Sequence, residues 1–354
     1  MNKLKIIKKF AVWQILMVLN RINKHILPKP YNIYFLITSR CNADCKFCSF
    51  ARSAPERYDE ATDEEIKNML LSFKNYIGCF HINITGGEPL MRKSCLLQIA
   101  QFAKENDIIL GVTTNGFLID DKFCEEIMKN NLFFNINVSI DFVGDEHCKN
   151  RGINISFEQF KAKLVMLSNY KIKYAATTKL IVKPIIKADN LDHLVKLVEF
   201  TKDIKFDHIN FQPIFEWTEY SKTLKKDIAI SKLKEVLHSL IEYKLKYPDL
   251  ILNESRHFEM FLPYFTGSIK QDRNICDVGF KNVFIYPDLD ITFSCFEKFG
   301  NLREQSIDIL WKSKEANKIR EKVKKCQKVC LATCQLNRTL LEKIQYGYKI
   351  LFQK

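Results

Sequence analysis

The sequence predicts an α/β protein, a partial (β/α)6 barrel of the TIM type followed by a small Cys-rich module at the C-terminus. From residue 31 onward, short runs of β-branched and aromatic residues alternate with longer amphipathic stretches, as in repeated βα units around a parallel sheet. The last third of the chain departs from this pattern and holds five of the 12 cysteines. With 354 residues, 47% of them hydrophobic, the chain can bury a core of this size.

Six strands are expected in the first part of the chain, each beside a helical stretch such as 63–74 or 157–168. The strands are expected at about 31–38, 79–85, 108–114, 133–140, 178–184 and 208–213. Six units leave one side of the barrel open, which would admit a bulky substrate. In barrels of this kind the functional residues lie on the loops that follow the strands.

After residue 213 the pattern predicts a helical connection and then a separate module. A helix is expected at 228–246, a β-hairpin at 283–286 and 291–295, and further helices at 307–325 and from Leu336 to the C-terminus. We therefore divide the chain into an N-terminal amphipathic helix (1–30), a barrel core (31–215), a helical connection (216–255) and a C-terminal module with its last helix (256–354).

Cys41, Cys45 and Cys48 form a Cys-x3-Cys-x2-Cys triplet on the loop after the first predicted strand. Three thiolates can hold three irons of a 4Fe-4S cube and leave the fourth iron open for a small ligand. Electron-transfer clusters and structural zinc sites normally take four protein ligands. The triplet therefore predicts a cluster that takes part in chemistry. Structural zinc is the alternative, but it would need a fourth ligand nearby.

Further motifs lie at the ends of the later strands. They are Thr85-Gly86-Gly87-Glu88-Pro89, Thr114-Asn115-Gly116, Ser139-Ile140-Asp141, and His147 with Arg151-Gly152. In this order, and together with the triplet and its Phe47, they resemble the radical S-adenosylmethionine (radical SAM) superfamily, especially its branch with a C-terminal SPASM or twitch-like iron-sulfur module.

This resemblance implies the cofactors and the reaction. SAM would bind the open iron of the first 4Fe-4S cluster and would be cleaved reductively to a 5'-deoxyadenosyl radical. That radical would abstract hydrogen from an unreactive C–H bond of the substrate. An external electron donor of the flavodoxin or ferredoxin type is implied as a partner. No catalytic residue beyond the cluster is assigned.

The resemblance also implies which residues bind SAM at its methionine end. Gly86 and Gly87, which lack a Cβ, would let the backbone come close to this end of the cofactor. Glu88 would pair with the ammonium group of SAM.

The remaining SAM contacts come from the later strands. Ser139 and Arg151 match residues that hold the methionine carboxylate in related sulfatase-maturing enzymes, and Arg suits a bidentate grip. Asn115 would contact the ribose or adenine. Asp141 would bond to the ribose or order Arg151, unless it is a solvated turn carboxylate. Phe47 completes the predicted set.

The C-terminal cysteines are expected to hold an auxiliary 4Fe-4S cluster. Four ligands are expected from the five residues Cys276, Cys295, Cys326, Cys330 and Cys334, with Cys334 as the competitor for one place. The full SPASM pattern of eight thiolates is absent, and Asp290 stands where the family has Gly. These departures favour a twitch-like module with one cluster. Zinc held by four thiolates is the alternative.

The charge balance favours an anionic partner, because 55 Lys and Arg against 41 Asp and Glu give a net charge of +14. No nucleic-acid module accompanies this charge, so RNA or DNA is not expected. The lysine-rich N-terminus runs apolar from Phe10 to Leu19, too short to span a bilayer. It would pack on the barrel or lie on an anionic membrane surface. We expect a cytoplasmic protein, with peripheral attachment to the inner membrane face as an addition.

These features predict a radical SAM oxidoreductase or transferase that acts on an unidentified small or lipid-linked molecule. Only 40 residues precede the triplet, fewer than the recognition domain found in many peptide-modifying relatives, and the auxiliary module is short. One alternative is a peptide- or protein-modifying enzyme that resembles the sulfatase maturases. An alternative of another class is a non-catalytic iron-sulfur or zinc protein that binds RNA.

Overall fold

The computed structural model describes residues 12, 15–17, 19–20, 26–48, 59–78, 80–216, 218–269, 276–293, 296–326 and 331. The expected helix from Leu336 and most of the N-terminal helix therefore lie outside the described residues. Within the part of the chain that is described, no helix has the length and apolar character needed to cross a bilayer.

Six parallel strands form the predicted partial barrel, which confirms the fold class. In order of pairing they are β1 (Asn32–Leu36), β2 (His81–Thr85), β3 (Ile109–Thr114), β4 (Asn135–Val138), β5 (Lys179–Val182) and β7 (His208–Ile209). Two shorter strands, β6 (Ile185–Ile186) and β8 (Gln212–Pro213), pair in a separate sheet.

Helices alternate with these strands along the chain. In the first half they are α1 (Asp63–Ile77), α2 (Lys93–Glu105), α3 (Asp121–Lys129), α4 (Glu146–Asn150), α5 (Phe157–Lys173) and α6 (Leu191–Asp203). In the second half they are α7 (Glu219–Lys226), α8 (Ile230–Lys246), α9 (Ser255–Thr266), α10 (Val278–Lys281), α11 (Ile307–Lys312) and α12 (Lys314–Lys324). Several begin at a side-chain cap. Thr62 caps α1 and Ser156 caps α5, each in a reciprocal capping box.

The barrel sheet has one apolar and one polar face. Side chains such as Ile33 and Phe35 on β1, and Ile82 on β2, are fully buried. Side chains in strands alternate between faces, so the intervening residues lie on the other side of the sheet, towards the barrel lumen. There Asn83 and Asn137 both donate to Thr113 Oγ1, at 3.0 and 3.1 Å.

Two predicted elements are each divided in the structure. The strand expected at 208–213 breaks at Phe211, because the Asn253 side chain donates to Phe211 O and accepts from Phe211 N at 2.9 and 2.7 Å. These side-chain hydrogen bonds take the place of the backbone hydrogen bonds that a partner strand would make to Phe211. The helix expected at 307–325 ends at Lys312 and restarts as α12, because the Ser313 hydroxyl caps the new helix by accepting from Ala316 N at 3.1 Å.

The C-terminal module continues the barrel sheet, which the sequence did not predict. The expected hairpin is present as β9 (Asn282–Ile285) and β10 (Asp290–Thr292), and a third strand β11 (Lys298–Asn301) follows. β9 pairs in parallel with β1, with Asn32 opposite Asn282. The result is one nine-stranded sheet in the order β11-β10-β9-β1-β2-β3-β4-β5-β7.

Candidate cofactor site

The three cysteines of the triplet lie on the loop that follows β1. Cys45 is buried, and Cys41 and Cys48 are half-buried. Cys48 N donates to Cys45 O at 3.0 Å, which closes a tight turn between the last two cysteines. The loop is anchored from outside because Asp44 N donates to Arg151 O at 2.8 Å. All three thiols are thus presented by one short, anchored segment.

Gly86 and Gly87 allow the loop after β2 to touch the cysteine loop. A Cβ on Gly86 would lie 2.4 Å from Thr38 O, and one on Gly87 would lie 2.2 Å from Arg40 O. In this close approach Gly87 N donates to Thr38 O and Glu88 N donates to Arg40 O, both at 2.8 Å. The two glycines are therefore required by the approach of one loop to another. Their contact with SAM stays a prediction.

Glu88 is fully buried and joins the loops after β2 and β3. Its carboxylate accepts from Leu90 N at 3.0 Å, from Thr114 Oγ1 at 2.6 Å and from Asn115 N at 2.6 Å. Burial raises the pKa of Glu88, and these hydrogen bonds oppose the rise. A carboxylate can accept about four hydrogen bonds. The predicted pairing with the SAM ammonium is compatible with these contacts and stays a prediction.

Asn115 contacts the cysteine loop directly. Its Nδ2 donates to Asn42 Oδ1 at 2.8 Å and lies 3.9 Å from Cys41 Sγ, and its Oδ1 accepts from Phe117 N at 3.1 Å. Ser139 is half-buried just after β4, where its N donates to Thr114 O at 3.0 Å. Both residues therefore lie at the strand ends, as expected. Their contacts with SAM stay predictions.

Arg151 and Asp141 form a buried ion pair beside the triplet. Arg151 Nη2 lies 2.8 Å from Asp141 Oδ2, and the two side chains are 8% and 1% exposed. Asp141 is therefore not a solvated turn residue, and it orders Arg151 as one alternative proposed. Arg151 Nη1 lies 3.8 Å from Cys45 Sγ. Burial raises the pKa of the Cys45 thiol to about 11, and the charge of Arg151 opposes this rise.

His147 lies next to this pair in an aromatic box. Its ring stacks on Phe117 at 5.7 Å and packs against Phe160 at 4.9 Å between ring centres. Burial, together with the charges of Arg151 and Lys187, holds the pKa of His147 well below its usual value. The burial of the ring and its packing against Phe117 and Phe160 indicate a structural role.

Lys187, which follows β6, was not predicted from the sequence as a site residue. Its side chain is 0% exposed, and its ammonium lies 4.0 Å from the ring centre of Phe142 and 5.6 Å from that of Phe47. Phe47, the aromatic residue of the triplet motif, is itself buried. The available signal was a single lysine directly after the apolar pair Ile185-Ile186, three residues beyond the end of the strand predicted at 178–184.

The residues of this site fit a site-differentiated cluster with SAM. The three thiols lie close enough to interact electrostatically with one another. Arg151 Nε is buried without a partner, so the guanidinium has a donor available for an anionic ligand. No three His, Cys, Asp or Glu side chains of the described residues converge on one point, as ligands of a single ion would. A cube instead binds each thiolate to a different iron.

Two of the five auxiliary cysteines fall within the described residues. Burial raises the pKa of Cys276, and the neighbouring Cys326 adds to this rise, so the two sulfurs are close enough to interact electrostatically. Beside them, Lys281 and Asp277 form a buried ion pair at 2.6 Å. Cys295, Cys330 and Cys334 lie outside the described residues. The choice of four ligands stays a prediction.

Arg320 joins the chain segments that carry these two cysteines. It is 2% exposed and lies on α12, shortly before Cys326. Its Nε donates to Gly279 O at 2.9 Å, shortly after Cys276, and its Nη2 donates to Trp311 O at 2.8 Å. The guanidinium also lies 4.5 Å from the Trp311 ring centre. Carbonyl oxygens and an aromatic face thus surround this buried cation.

Comparison with known families confirms the resemblance. Residues 35–201 match the profile of the Radical SAM superfamily. Residues 276–335 match SPASM, an iron-sulfur cluster-binding domain. The first range contains the triplet and every predicted SAM contact, and the second contains all five auxiliary cysteines. These two domains imply 4Fe-4S clusters and SAM as cofactors.

Curated relatives share the first part of the chain. The Fe-coproporphyrin III synthase of Methanosarcina barkeri is 25% identical over 234 residues, which are 65% of this chain and 56% of that protein. The GTP 3',8-cyclase of Campylobacter jejuni subsp. doylei is 31% identical over 212 residues, 56% of this chain and 61% of that enzyme. The chain thus spans about three-fifths of the length of these relatives.

Solved structures share the fold. Streptococcus suis SuiB bound to S-adenosylmethionine superposes with a TM-score of 0.65 at 17% identity, covering 85% of this chain and 70% of SuiB. The protein anSMEcpe with bound AdoMet superposes with a TM-score of 0.62 at 16% identity, covering 92% of this chain and 93% of that one. At this identity the likeness concerns the fold alone.

Proposed function

We propose that this chain, which belongs to the radical SAM superfamily and carries a C-terminal SPASM domain, cleaves SAM reductively and uses the product to abstract hydrogen from a small polar or lipid-linked substrate. One observation carries the proposal: three thiols on one anchored loop lie beside a buried arginine that has a donor without a partner. A purely structural metal site would not need that cation.

The chain's own residues would hold the cofactors. Bound to the triplet, the cluster and SAM supply the one-electron chemistry that generates a reactive carbon radical. Arg151, oriented by Asp141 and with its Nε buried without a partner, would hold the carboxylate of SAM. Glu88 would accept a hydrogen bond from the SAM ammonium. Asn115, bonded to Asn42, keeps the ribose side of the site in register with the cysteine loop.

Anaerobic reconstitution tests this proposal directly. The reconstituted protein, incubated with SAM and dithionite, is expected to release 5'-deoxyadenosine and methionine. The control is protein treated identically but without dithionite. If SAM remained intact at full cluster occupancy, the proposed activity would be wrong, and a non-catalytic iron-sulfur protein would be the better description.

The lumen of the barrel supports a small polar substrate. The register places Tyr34, Asn83 and Phe284 opposite one another on neighbouring strands, and the Tyr34 and Phe284 rings stack at 4.7 Å. Asn137 Nδ2 donates to Asn83 Oδ1 at 3.3 Å. Amide groups and an aromatic stack suit a ligand that has hydroxyl or amide groups and a flat face. Asn210 Oδ1, buried without a partner just after β7, is a further acceptor at a strand end of the barrel.

A peptide substrate is the second candidate, because the fold neighbours include SuiB bound to its precursor peptide SuiA and anSMEcpe bound to the Cp18Cys peptide. Stimulation of 5'-deoxyadenosine release separates the two candidates. A low-molecular-weight metabolite extract should stimulate release, and a peptide fraction should not. Asn137→Leu should abolish this stimulation. Stimulation by the peptide fraction alone would favour the second candidate.

A membrane surface is proposed as an additional partner. The helical residues Val12, Ile15 and Leu19 are 46%, 59% and 38% exposed, at a spacing that places them on one helix face. Lysines precede them in sequence, and each contributes on the order of 1 kcal/mol near an anionic surface. Co-sedimentation with phosphatidylserine vesicles at low salt is expected, and Ile15→Glu should abolish it. Equal binding to neutral vesicles would contradict the proposed contribution of the lysines to membrane binding.

A further inference from the structure

Lys187 is a buried cation beside the cofactor site. Its ammonium lies 2.6 Å from Asp189 Oδ1 and faces the rings of Phe142 and Phe47, at 4.0 and 5.6 Å from their centres. The lysine side chain is 0% exposed, whereas that of Asp189 is 31% exposed. The cation is thus enclosed by one carboxylate and two aromatic faces.

Stability alone does not explain a lysine at this position. Removing an ammonium from water is unfavourable, and an apolar residue of similar volume often serves a buried position as well or better. Burial lowers the pKa of Lys187, whereas the charges of Asp141 and Asp189 raise it. A buried lysine whose pKa is shifted by its surroundings and that pairs with a carboxylate is typical of functional sites.

The loop that carries Lys187 is bonded to Asp141, the partner of Arg151, and to Asn150, the residue before Arg151. Asn190 Nδ2 donates to Asp141 O at 3.0 Å and to Ile185 O at 2.8 Å. Asp189 Oδ2 accepts from Asn150 Nδ2 at 3.4 Å, immediately before Arg151. Movement of this loop would therefore shift the groups that hold Arg151.

Phe47 connects Lys187 with the cysteine loop. The ring belongs to the residue before Cys48, two positions after Cys45, so its placement is coupled to the placement of two cluster ligands. A desolvated cation over an aromatic face is attracted electrostatically to the ring. Lys187 thereby contacts Phe47 through its ammonium, which also lies over the ring of Phe142.

We propose that Lys187 is a positioning residue for SAM: fixed between Phe142 and Asp189, its ammonium holds Phe47 and the loop 187–190 in the geometry that binds the cofactor. It is not proposed as an iron ligand or as a catalytic group. The inference rests on the proposed function, because it concerns the binding of SAM to the cluster of the triplet.

The test replaces the ammonium by an apolar group of similar length. Lys187→Met should bind SAM on the order of 10-fold more weakly, from the loss of a desolvated cation–aromatic contact. Iron per chain and the electron paramagnetic resonance spectrum of the reduced cluster without SAM should not change. Equilibrium binding of SAM to the reconstituted protein gives the affinity.

Lys225→Met is the matched control. Lys225 also pairs with a carboxylate and an aromatic ring, with its Nζ 2.5 Å from Glu216 Oε1 and 4.0 Å from the Tyr264 ring centre. It lies in α7, and neither of these two partners belongs to the triplet loop or to the loop 187–190. Its replacement removes the same kind of contact, so SAM affinity should remain that of the wild type.

Two milder variants keep the proposal testable if Lys187→Met does not fold. Lys187→Arg keeps the charge and should recover part of the affinity. Asp189→Asn removes the half-exposed carboxylate that pairs with the ammonium. It should also weaken SAM binding, but by a smaller factor than Lys187→Met. The spectral change that SAM causes in the reduced cluster should shrink in parallel with affinity.

The outcomes separate this inference from the proposed function. If wild-type protein does not bind SAM, the proposed function fails. If the wild type binds SAM and both Lys187→Met and Asp189→Asn bind it equally well, only the role of Lys187 is overturned. Loss of iron from Lys187→Met at unchanged SAM affinity per cluster would overturn it as well, because the residue would then hold the cluster loop.

Discussion

The two cysteine sites are assembled in different ways. The triplet lies within residues 41–48, so a single loop presents all three thiols. Cys276 and Cys326 are separated by most of the C-terminal module and approach each other only in the folded chain. An ion pair lies beside each site, Arg151 with Asp141 at the first and Lys281 with Asp277 at the second. At the second site, carbonyl oxygens and an aromatic ring hold Arg320.

At the first site one loop places all the cysteine ligands, whereas at the second site distant segments must pack together to bring the ligands close. The triplet can bind iron as long as the turn of its own loop is intact. The contacts around the triplet are therefore not needed to hold iron and can serve to orient SAM. A site assembled from distant segments depends on the packing that joins them. Substitutions around the first site should therefore affect cofactor binding, whereas substitutions around the second should affect iron retention and stability.

The largest expected effect follows from removal of the ligands. Replacing Cys41, Cys45 and Cys48 by Ala should abolish SAM cleavage and lower the iron content from about eight to about four per chain, because each cube holds four irons. Replacing Cys276 and Cys326 should remove a similar amount of iron but leave part of the cleavage. Iron analysis and product quantification measure both. Equal loss of SAM cleavage in the two variants would contradict the assignment of cleavage to the first site.

Arg151→Met should weaken SAM binding by roughly 10- to 100-fold, the range of a hydrogen bond to a charged group. It also leaves the Asp141 carboxylate buried without its partner, which costs about 3–5 kcal/mol of unfolding free energy. Adding Asp141→Asn should restore part of the stability but none of the SAM affinity. Thermal unfolding and equilibrium SAM binding measure the two effects.

Arg303→Met is the control, because Arg303 pairs with Asp59 and Glu65 and is 25% exposed. This surface variant should bind SAM as the wild type does. If Arg151→Met retained full SAM affinity, the assignment of Arg151 to the SAM carboxylate would be wrong.

Arg320→Met should act on the second site alone. It leaves the carbonyl oxygens of Gly279 and Trp311 without their buried donor, at a cost of about 1–3 kcal/mol for each unsatisfied group. Iron should be lost on mild warming down to about four per chain, with SAM cleavage partly retained. Lys322→Met, an exposed neighbour on α12, is the control for helix stability. Unchanged iron retention would contradict a joining role for Arg320.

The smallest expected effect is a pH dependence from His147. Its folded-state pKa lies well below the usual value, so below about pH 6.5 the unfolded chain takes up a proton that the folded chain does not. His147 thus lowers stability as pH falls, by up to about 1.4 kcal/mol per pH unit. His147→Phe should flatten this slope in urea unfolding between about pH 7 and pH 5.5. His238→Gln, at an exposed residue, should leave it unchanged.

Much of the fold was predictable, because βα alternation is a local pattern. Strands were expected close to where β1 to β5 lie, and the hairpin of β9 and β10 was expected as well. The break at Phe211 was not predictable, because the bonds that cause it come from Asn253, 42 residues further along the chain. The restart of the helix at Ser313 had a local signal, a serine that can cap, but helical periodicity continued through it.

The sequence by itself determined the chemistry of the first site. The spacing of three cysteines and the motifs at successive strand ends need only local order, because parallel strands bring their ends to one edge. Only the tertiary structure decided which groups surround these residues. It placed β9 beside β1 across 250 residues, enclosed Lys187 between two aromatic rings, and gave Arg151 its partner Asp141. Contacts between distant segments depend on packing in three dimensions, and periodicity along the chain does not encode them.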